Sequence, residues 1–244
     1  MLASILFLCG SLGTAQPDTL RPIPAQTLAE VTVRPSKTVT ITPFTSGKVK
    51  ALRTYSLVAG TNIAVHLPAT TSGTLATIQV QLKPTDVRAG RLRVQLLAAP
   101  QSQVATVPEN APLLPAPIMV SAQQMKEAPK GLLSLDVSSY NIAMPANGVF
   151  VVVEGLGSEE APNYVAITVP SKGSGSPLVV TGGAAGYETS HLDEWAELEL
   201  GSSESEPRTW IKGTNGKGWI LRKPKEDPKK VMNSRLAVTL VEGM

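Results

Sequence analysis

The chain has 244 residues, 42% hydrophobic and 17% charged, which sets it among globular rather than disordered chains and makes it long enough for a sizeable core. Twenty glycines and twenty prolines argue against a mainly helical protein, and an aromatic content of 4% leaves the core to Val, Leu, Ile and Ala. The net charge of +3 is too small and too dispersed to point to nucleic acid, despite a sequence pI near 9.0.

Met1 opens an apolar run, Leu2 to Leu8, followed by small residues and by Gly13-Thr14-Ala15 at the positions a signal peptidase reads. A signal peptide over residues 1–15 is therefore expected, because the run is too short to span a bilayer. Leu8 stands where a lipoprotein site needs a small residue, so Cys9 is not read as an anchor. Cleavage after Ala15 leaves a mature chain without cysteine, which removes disulfides and thiolate chemistry and suits a bacterial envelope.

Residues 16–43 read as a Pro/Thr/Gln-rich tether carrying one edge strand, Leu28 to Val33, and residues 44–244 as a single domain. Strand patterns follow at Asn62–Leu67, Leu75–Leu82, Arg91–Ala98, Ile118–Ala122, Leu132–Val137, Val149–Glu154, Tyr164–Val169, Leu178–Thr181 and Arg235–Val241. Ile78, Val80 and Leu82 alternate with Gln79 and Gln81, as do Leu92, Val94 and Leu96 with Arg91, Arg93 and Gln95. Val149 to Val153 is apolar throughout, the pattern of a central strand covered on both sides. Glycine and proline turns separate the runs, so the expected fold is an all-β antiparallel sandwich, jelly-roll-like, with at most short helical turns. The two short helical candidates are Gln123–Glu127 and His191–Leu198.

Near the end of the chain, Glu188 to Glu206 carries acidic residues without a cation, and a largely basic stretch from Arg208 to Arg235 follows. The two segments are expected to attract each other. Within the basic stretch Asn215-Gly216 forms a preferred two-residue turn, because both positions tolerate positive φ. Pairing outward from it sets Lys212 opposite Trp219 and Trp210 opposite Leu221, with Ile211 and Ile220 on the other face. Two indoles beside Lys212 and Arg208 would form a sugar-stacking platform; the alternative is that this face packs into the core. Trp195 reads as an anchor.

No catalytic residue is expected. The only histidines are His66, mid-strand, and His191, in the polar loop Ser190-His191-Leu192-Asp193, and there is no Gly-x-Ser-x-Gly elbow. No His-x-x-x-His or calcium-loop pattern occurs, so no metal or cofactor is expected. Gly213 to Gly218 has glycines like a phosphate loop but lacks its spacing and following helix.

The order of segments resembles a known group. Leu28-Ala29-Glu30-Val31-Thr32-Val33 is similar to the "L-x-E-V-x-V" opening of many exported Bacteroidota proteins. Leu133 to Ile142 followed by Met144 to Gly155 resembles their "V-D-L-S-x-Y-N-I" and "P-x-x-G-x-F-V" strands. Those strands belong to a jelly-roll-like domain of uncharacterised function, found alongside carboxypeptidase-regulatory-like modules. The resemblance implies a jelly roll and brings no catalytic residues with it. The expected function is a non-catalytic exported module that binds a glycan or other cell-surface component through Trp210, Lys212, Trp219 and Arg208. The alternative is an envelope assembly protein acting through protein contacts. No nucleic acid and no transmembrane segment are expected, and the location is periplasm, outer-membrane surface or outside the cell.

Overall fold

The protein is described by a computed structural model covering residues 37–44, 49–100, 107–108, 111–157, 166–170, 175–183, 186–203, 206–212, 218–223 and 231–242. The strand expected at Leu28–Val33 and the Asn215-Gly216 turn lie outside these residues. Residues 36–244 form one compact body. It is all-β: sixteen strands are described, with one α-helix of six residues and three short 3₁₀ turns.

The strands are β1 (Thr38–Ile41), β2 (Lys50–Ser56), β3 (Asn62–Leu67), β4 (Thr74–Gln81), β5 (Arg91–Ala98), β6 (Ile118–Val120), β7 (Leu132–Asp136) and β8 (Val149–Leu156). After them come β9 (Ala166–Val169), β10 (Leu178–Gly183), β11 (Gly186–His191), β12 (Glu197–Ser203), β13 (Thr209–Lys212), β14 (Ile220–Leu221), β15 (Val231–Ser234) and β16 (Leu236–Val241). They form a six-stranded sheet, β14-β13-β3-β8-β5-β6, a four-stranded sheet, β1-β16-β4-β7, and two three-stranded sheets, β15-β12-β2 and β11-β10-β9. Every strand pairing within these sheets is antiparallel.

The alternation in sequence dictates how the two larger sheets meet. Ile63, Val65 and Leu67 of β3, Val149, Val151 and Val153 of β8, and Leu92, Val94 and Leu96 of β5 share one face of the six-stranded sheet. They are buried in one cluster with Leu75, Ile78 and Val80 of β4 and Leu236, Val238 and Leu240 of β16. Those two facing layers are the sandwich. Gly148 sets the start of β8. Its φ is +87°, and a Cβ there would sit 2.1 Å from the Leu67 carbonyl oxygen, so only glycine fits without strain.

The smaller sheet β15-β12-β2 is stitched to this sandwich through backbone bonds from Lys83 to Glu197 (2.8 Å), Gln81 to Arg235 (3.0 Å) and Arg235 to Glu199 (2.9 Å). A buried polar network adds to the seam between β15 and β13. Asn233 Oδ1 accepts the Arg208 amide at 2.8 Å and the Thr209 hydroxyl at 3.3 Å, while its Nδ2 donates to the Glu206 carbonyl at 2.9 Å. The Thr209 hydroxyl in turn accepts the Ser234 amide at 2.9 Å.

The acidic and basic segments do meet, through Glu199 with Arg235 and Glu206 with Arg208. Of the two helical candidates, the first is present as α1 (Ala122–Glu127), capped by Ser121 and Gln124 in reciprocal bonds, with Met125 buried beneath. The second, His191–Leu198, is corrected: a 3₁₀ turn over Leu192–Glu194 leads straight into β12. The period-2 row Ala196, Leu198, Leu200 faces the core there, and Glu197 and Glu199 turn outward to Lys83 and Arg235. A strand stands also where the tether was expected to continue, since β1 joins the sheet edge by pairing with β16.

Candidate functional site

β13 and β14 pair in the predicted register, Trp210 with Leu221 and Ile211 with Ile220. β13 also pairs with β3, which sets Trp210 beside Ala64 and Lys212 beside Asn62. The tryptophan side of the hairpin thereby joins the outer face of the six-stranded sheet, the face turned away from the main core. That outer face is itself apolar in the middle, because β8 alternates Phe150 and Val152 outward. Phe150 is fully buried, and Trp210 meets it edge-on at 5.3 Å between ring centroids and an angle of 83°. Trp219 and Leu221 pack against the same cluster from the sheet edge.

The four residues of the sequence-predicted platform are thus divided. Trp210 is only 8% exposed and spends its indole on Phe150, so it is not open for stacking. Arg208 lies largely covered, its backbone held by Asn233 and its guanidinium 3.3 Å from Glu206. Lys212 is exposed and Trp219 half-buried.

What the sheet adds is a transverse row that sequence reading missed. Strand pairing aligns Lys212, Asn62, Glu154, Arg93 and Met119 on the outer face, one from each of five adjacent strands. Continuing the hairpin register by one pair brings Trp219 next to Lys212. At about 4.8 Å per strand the row from Lys212 to Met119 is roughly 19 Å long. Arg93 and Glu154 form an ion pair, with Nε to Oε2 at 2.6 Å, and Asn62 Nδ2 donates to the Gly60 carbonyl at 3.2 Å. The row offers hydrogen-bonding groups of both charges beside one partly open indole. Finding it needs the strand order, which runs out of sequence.

His66 lies two rows further along the same face, beyond Ala64 and Val152, 5.2 Å from the Phe150 ring, with Nε2 2.9 Å from the Asn147 carbonyl. Burial holds its pKa below the ordinary 6.5, although the bond to Asn147 opposes this. The unfolded chain then takes up a proton at a pH where the folded one does not. Stability conferred by neutral His66 is complete above about pH 6.5 and is lost progressively as the pH falls toward the lower folded value. Urea midpoints measured between about pH 7.5 and 5.5 are expected to fall more steeply for the native chain than for His66→Gln. Equal slopes for the two proteins would remove His66 as the cause.

His191 lines a polar cleft of about 590 Å³ with Thr85, Asp86, Arg88, Ser176, Asp193 and Glu194. Lys126 and Arg88 hold the Asp86 carboxyl below the usual range. Within the cleft the His191 amide donates to Glu194 at 2.8 Å and the Asp193 amide to the Ser176 hydroxyl at 3.3 Å. Among the described residues no hydrogen bond joins the His191 ring to Ser176, and no three His, Cys, Asp or Glu side chains come together as a metal site. Next to the cleft Trp195 is buried, its indole N–H donating to Ser190 at 2.8 Å, and Gly90 leaves room for the ring. Tyr187 stands out on β11, 84% exposed, on the strand face shared with Thr189 and His191. The alternation Tyr187, Thr189, His191 carries that signal in the sequence.

Among known proteins, no family model, no curated relative and no solved structure matches this chain.

Proposed function

We propose that the protein is a non-catalytic exported module whose six-stranded sheet binds a glycan or another cell-surface component on its outer face. The observation that carries the reading is the row Trp219, Lys212, Asn62, Glu154 and Arg93. It is an indole followed by donors and acceptors at sheet spacing, anchored on a rigid double-covered strand. An indole stacks on the apolar face of a pyranose while charged groups pair with its hydroxyls. Export to the periplasm, the outer-membrane surface or the medium belongs to the same reading. Among the described residues no helix is long and apolar enough to cross a membrane.

Burial makes tryptophan fluorescence a direct test. With Trp195 and Trp210 covered, acrylamide is expected to quench Trp219 above all, and Trp219→Phe to remove most of the quenchable emission. Soluble glycans and peptidoglycan fragments are then titrated. Protection of Trp219 by one glycan class, lost in Trp219→Ala and Lys212→Ala but kept in Tyr187→Ala, supports the proposal. Binding that survives Trp219→Ala and fails in Tyr187→Ala moves the site to the β11 face. No response to any glycan sinks the glycan reading.

A second reading, an envelope assembly module acting through protein contacts, is favoured by one observation. β14 is the edge of the six-stranded sheet, and its Ile220 is 58% exposed.

A further inference from the structure

The cleft of about 590 Å³ beside His191 adjoins another. A second cleft, of about 350 Å³, shares Thr85 and Asp86 with it and is further lined by Pro84, Met125, Lys126 and Lys130. Asp86 thus stands in the wall common to both. Arg88 Nε lies on one of its carboxylate oxygens at 2.7 Å and Lys126 Nζ on the other at 2.7 Å.

Hydrogen bonds to the backbone fix the walls. The Arg88 and Ala89 amides both donate to the Glu194 carbonyl, at 2.9 and 3.1 Å, which sets the segment after β4 against the 3₁₀ turn Leu192–Glu194. The Leu192 amide donates to the Pro177 carbonyl at 2.8 Å and the Asp193 amide to Ser176, tying that turn to the chain before β10. In the second cleft the Leu82 amide donates to the Gly131 carbonyl at 2.8 Å, and Gln81 Nε2 to the Lys130 carbonyl at 2.9 Å. Walls held in this way are preorganised, so little ordering cost falls on binding.

The charges divide across Asp86. The larger cleft sets three carboxylates, Asp86, Asp193 and Glu194, against the single guanidinium of Arg88. The smaller sets the ammoniums of Lys126 and Lys130 against Asp86 alone. Among the described residues no Trp, Tyr or Phe ring lines either cleft, so the stacking that would hold a pyranose is lacking. A ligand that answers both halves carries a cation and an anion a few bonds apart on one chain, as a short peptide does.

We propose that this charge-split groove binds a peptide segment of mixed sign, its cationic side chain toward Asp193 and Glu194 and its anionic one toward Lys126 and Lys130. The groove shares no residue with the Trp219 row, so either can fail without the other.

The test is calorimetric titration of the full chain at low salt. The probes are acetyl-Lys-(Gly)n-Glu-amide peptides with one to three glycines, and controls in which Gln replaces the Lys or the Glu. Saturable binding is expected at one spacer length, at least about tenfold tighter than either control. Asp193→Asn should weaken the two-signed peptide at least about fivefold and leave the control without Lys unchanged. Lys130→Asn should do the same with respect to the control without Glu. Both side chains are exposed, and Asn tolerates the left-handed backbone at position 130 (φ +54°), so neither change threatens the fold. Trp219→Ala is expected to leave peptide binding intact, and its loss there would place the peptide on the sheet row and overturn the proposal. A control that binds as well as the two-signed peptide, or no saturable binding below about 10 mM, also overturns it. So does chitotriose binding that Asp193→Asn abolishes while the peptides stay unbound, which hands the groove to a sugar.

Discussion

Asn233→Leu is expected to destabilise the protein by about 2–4 kcal/mol, because it strands at least two part-buried backbone groups at about 1–3 kcal/mol each. The groups are the Arg208 amide and the Glu206 carbonyl, both now bonded to the Asn233 side chain. Asn233 itself is fully buried at the seam between β15 and β13. Ser234→Ala one residue on makes the contrast. Ser234 Oγ is buried without a partner, so removing it discards an unmet polar group and is expected to be neutral or mildly stabilising. Urea denaturation of both variants, with the slope checked for two-state behaviour, decides the matter. A cost below about 1 kcal/mol for Asn233→Leu would mean that the seam is held by packing rather than by this network.

The second large effect concerns the outer face of the six-stranded sheet. Phe150→Ala is expected to cost about 3–5 kcal/mol, the range for a buried aromatic removed from a core. Phe150 has no exposed surface although it points away from the main core, and it touches both Trp210 and His66. If the cost were small, the outer cluster would be a loosely covered surface, and Trp210 would regain its place as an open stacking face. Trp210 emission gives an independent readout, since loss of Phe150 should red-shift it as water enters. Phe150→Leu, which keeps much of the volume, is expected to lose less than about 1.5 kcal/mol.

Much of this fold is written in local periodicity. β3 and β5 begin and end at the residues their alternation marks, and the unbroken apolar run Val149 to Val153 forecasts a strand covered on both sides. The hairpin register follows from Asn215-Gly216 alone, because a two-residue turn leaves no freedom in the pairing. What local pattern does not reveal is what a face packs against. The indole of Trp210 is closed off by Phe150, which arrives from β8 by way of β3, and nothing near either residue announces the meeting. β12 escaped for a different reason. Leu192, Trp195 and Leu198 fall at helical spacing, whereas the strand reading rests on Ala196, Leu198 and Leu200 and on outward glutamates whose partners are far away in sequence. The Lys212 to Met119 row is likewise a product of topology, since its members come from segments that only the sheet order brings together.

One feature of the four-stranded sheet bears on mechanics. Thr38 lies opposite Val241, and Lys37 is paired with Glu242, so the chain passes into β1 and out of β16 at the same end of the same ladder. Antiparallel bonds run across the strands. A force pulling these two points apart therefore loads the Lys37–Glu242 pair first and then the rungs one by one, like a zipper, instead of shearing all of them at once. Tension between the two ends would peel β1 away at low force. Tension between β1 and the opposite outer face would instead be carried through the whole thickness of the sandwich. A body built this way resists being dragged by something held on its sheet far better than being stretched between its own ends.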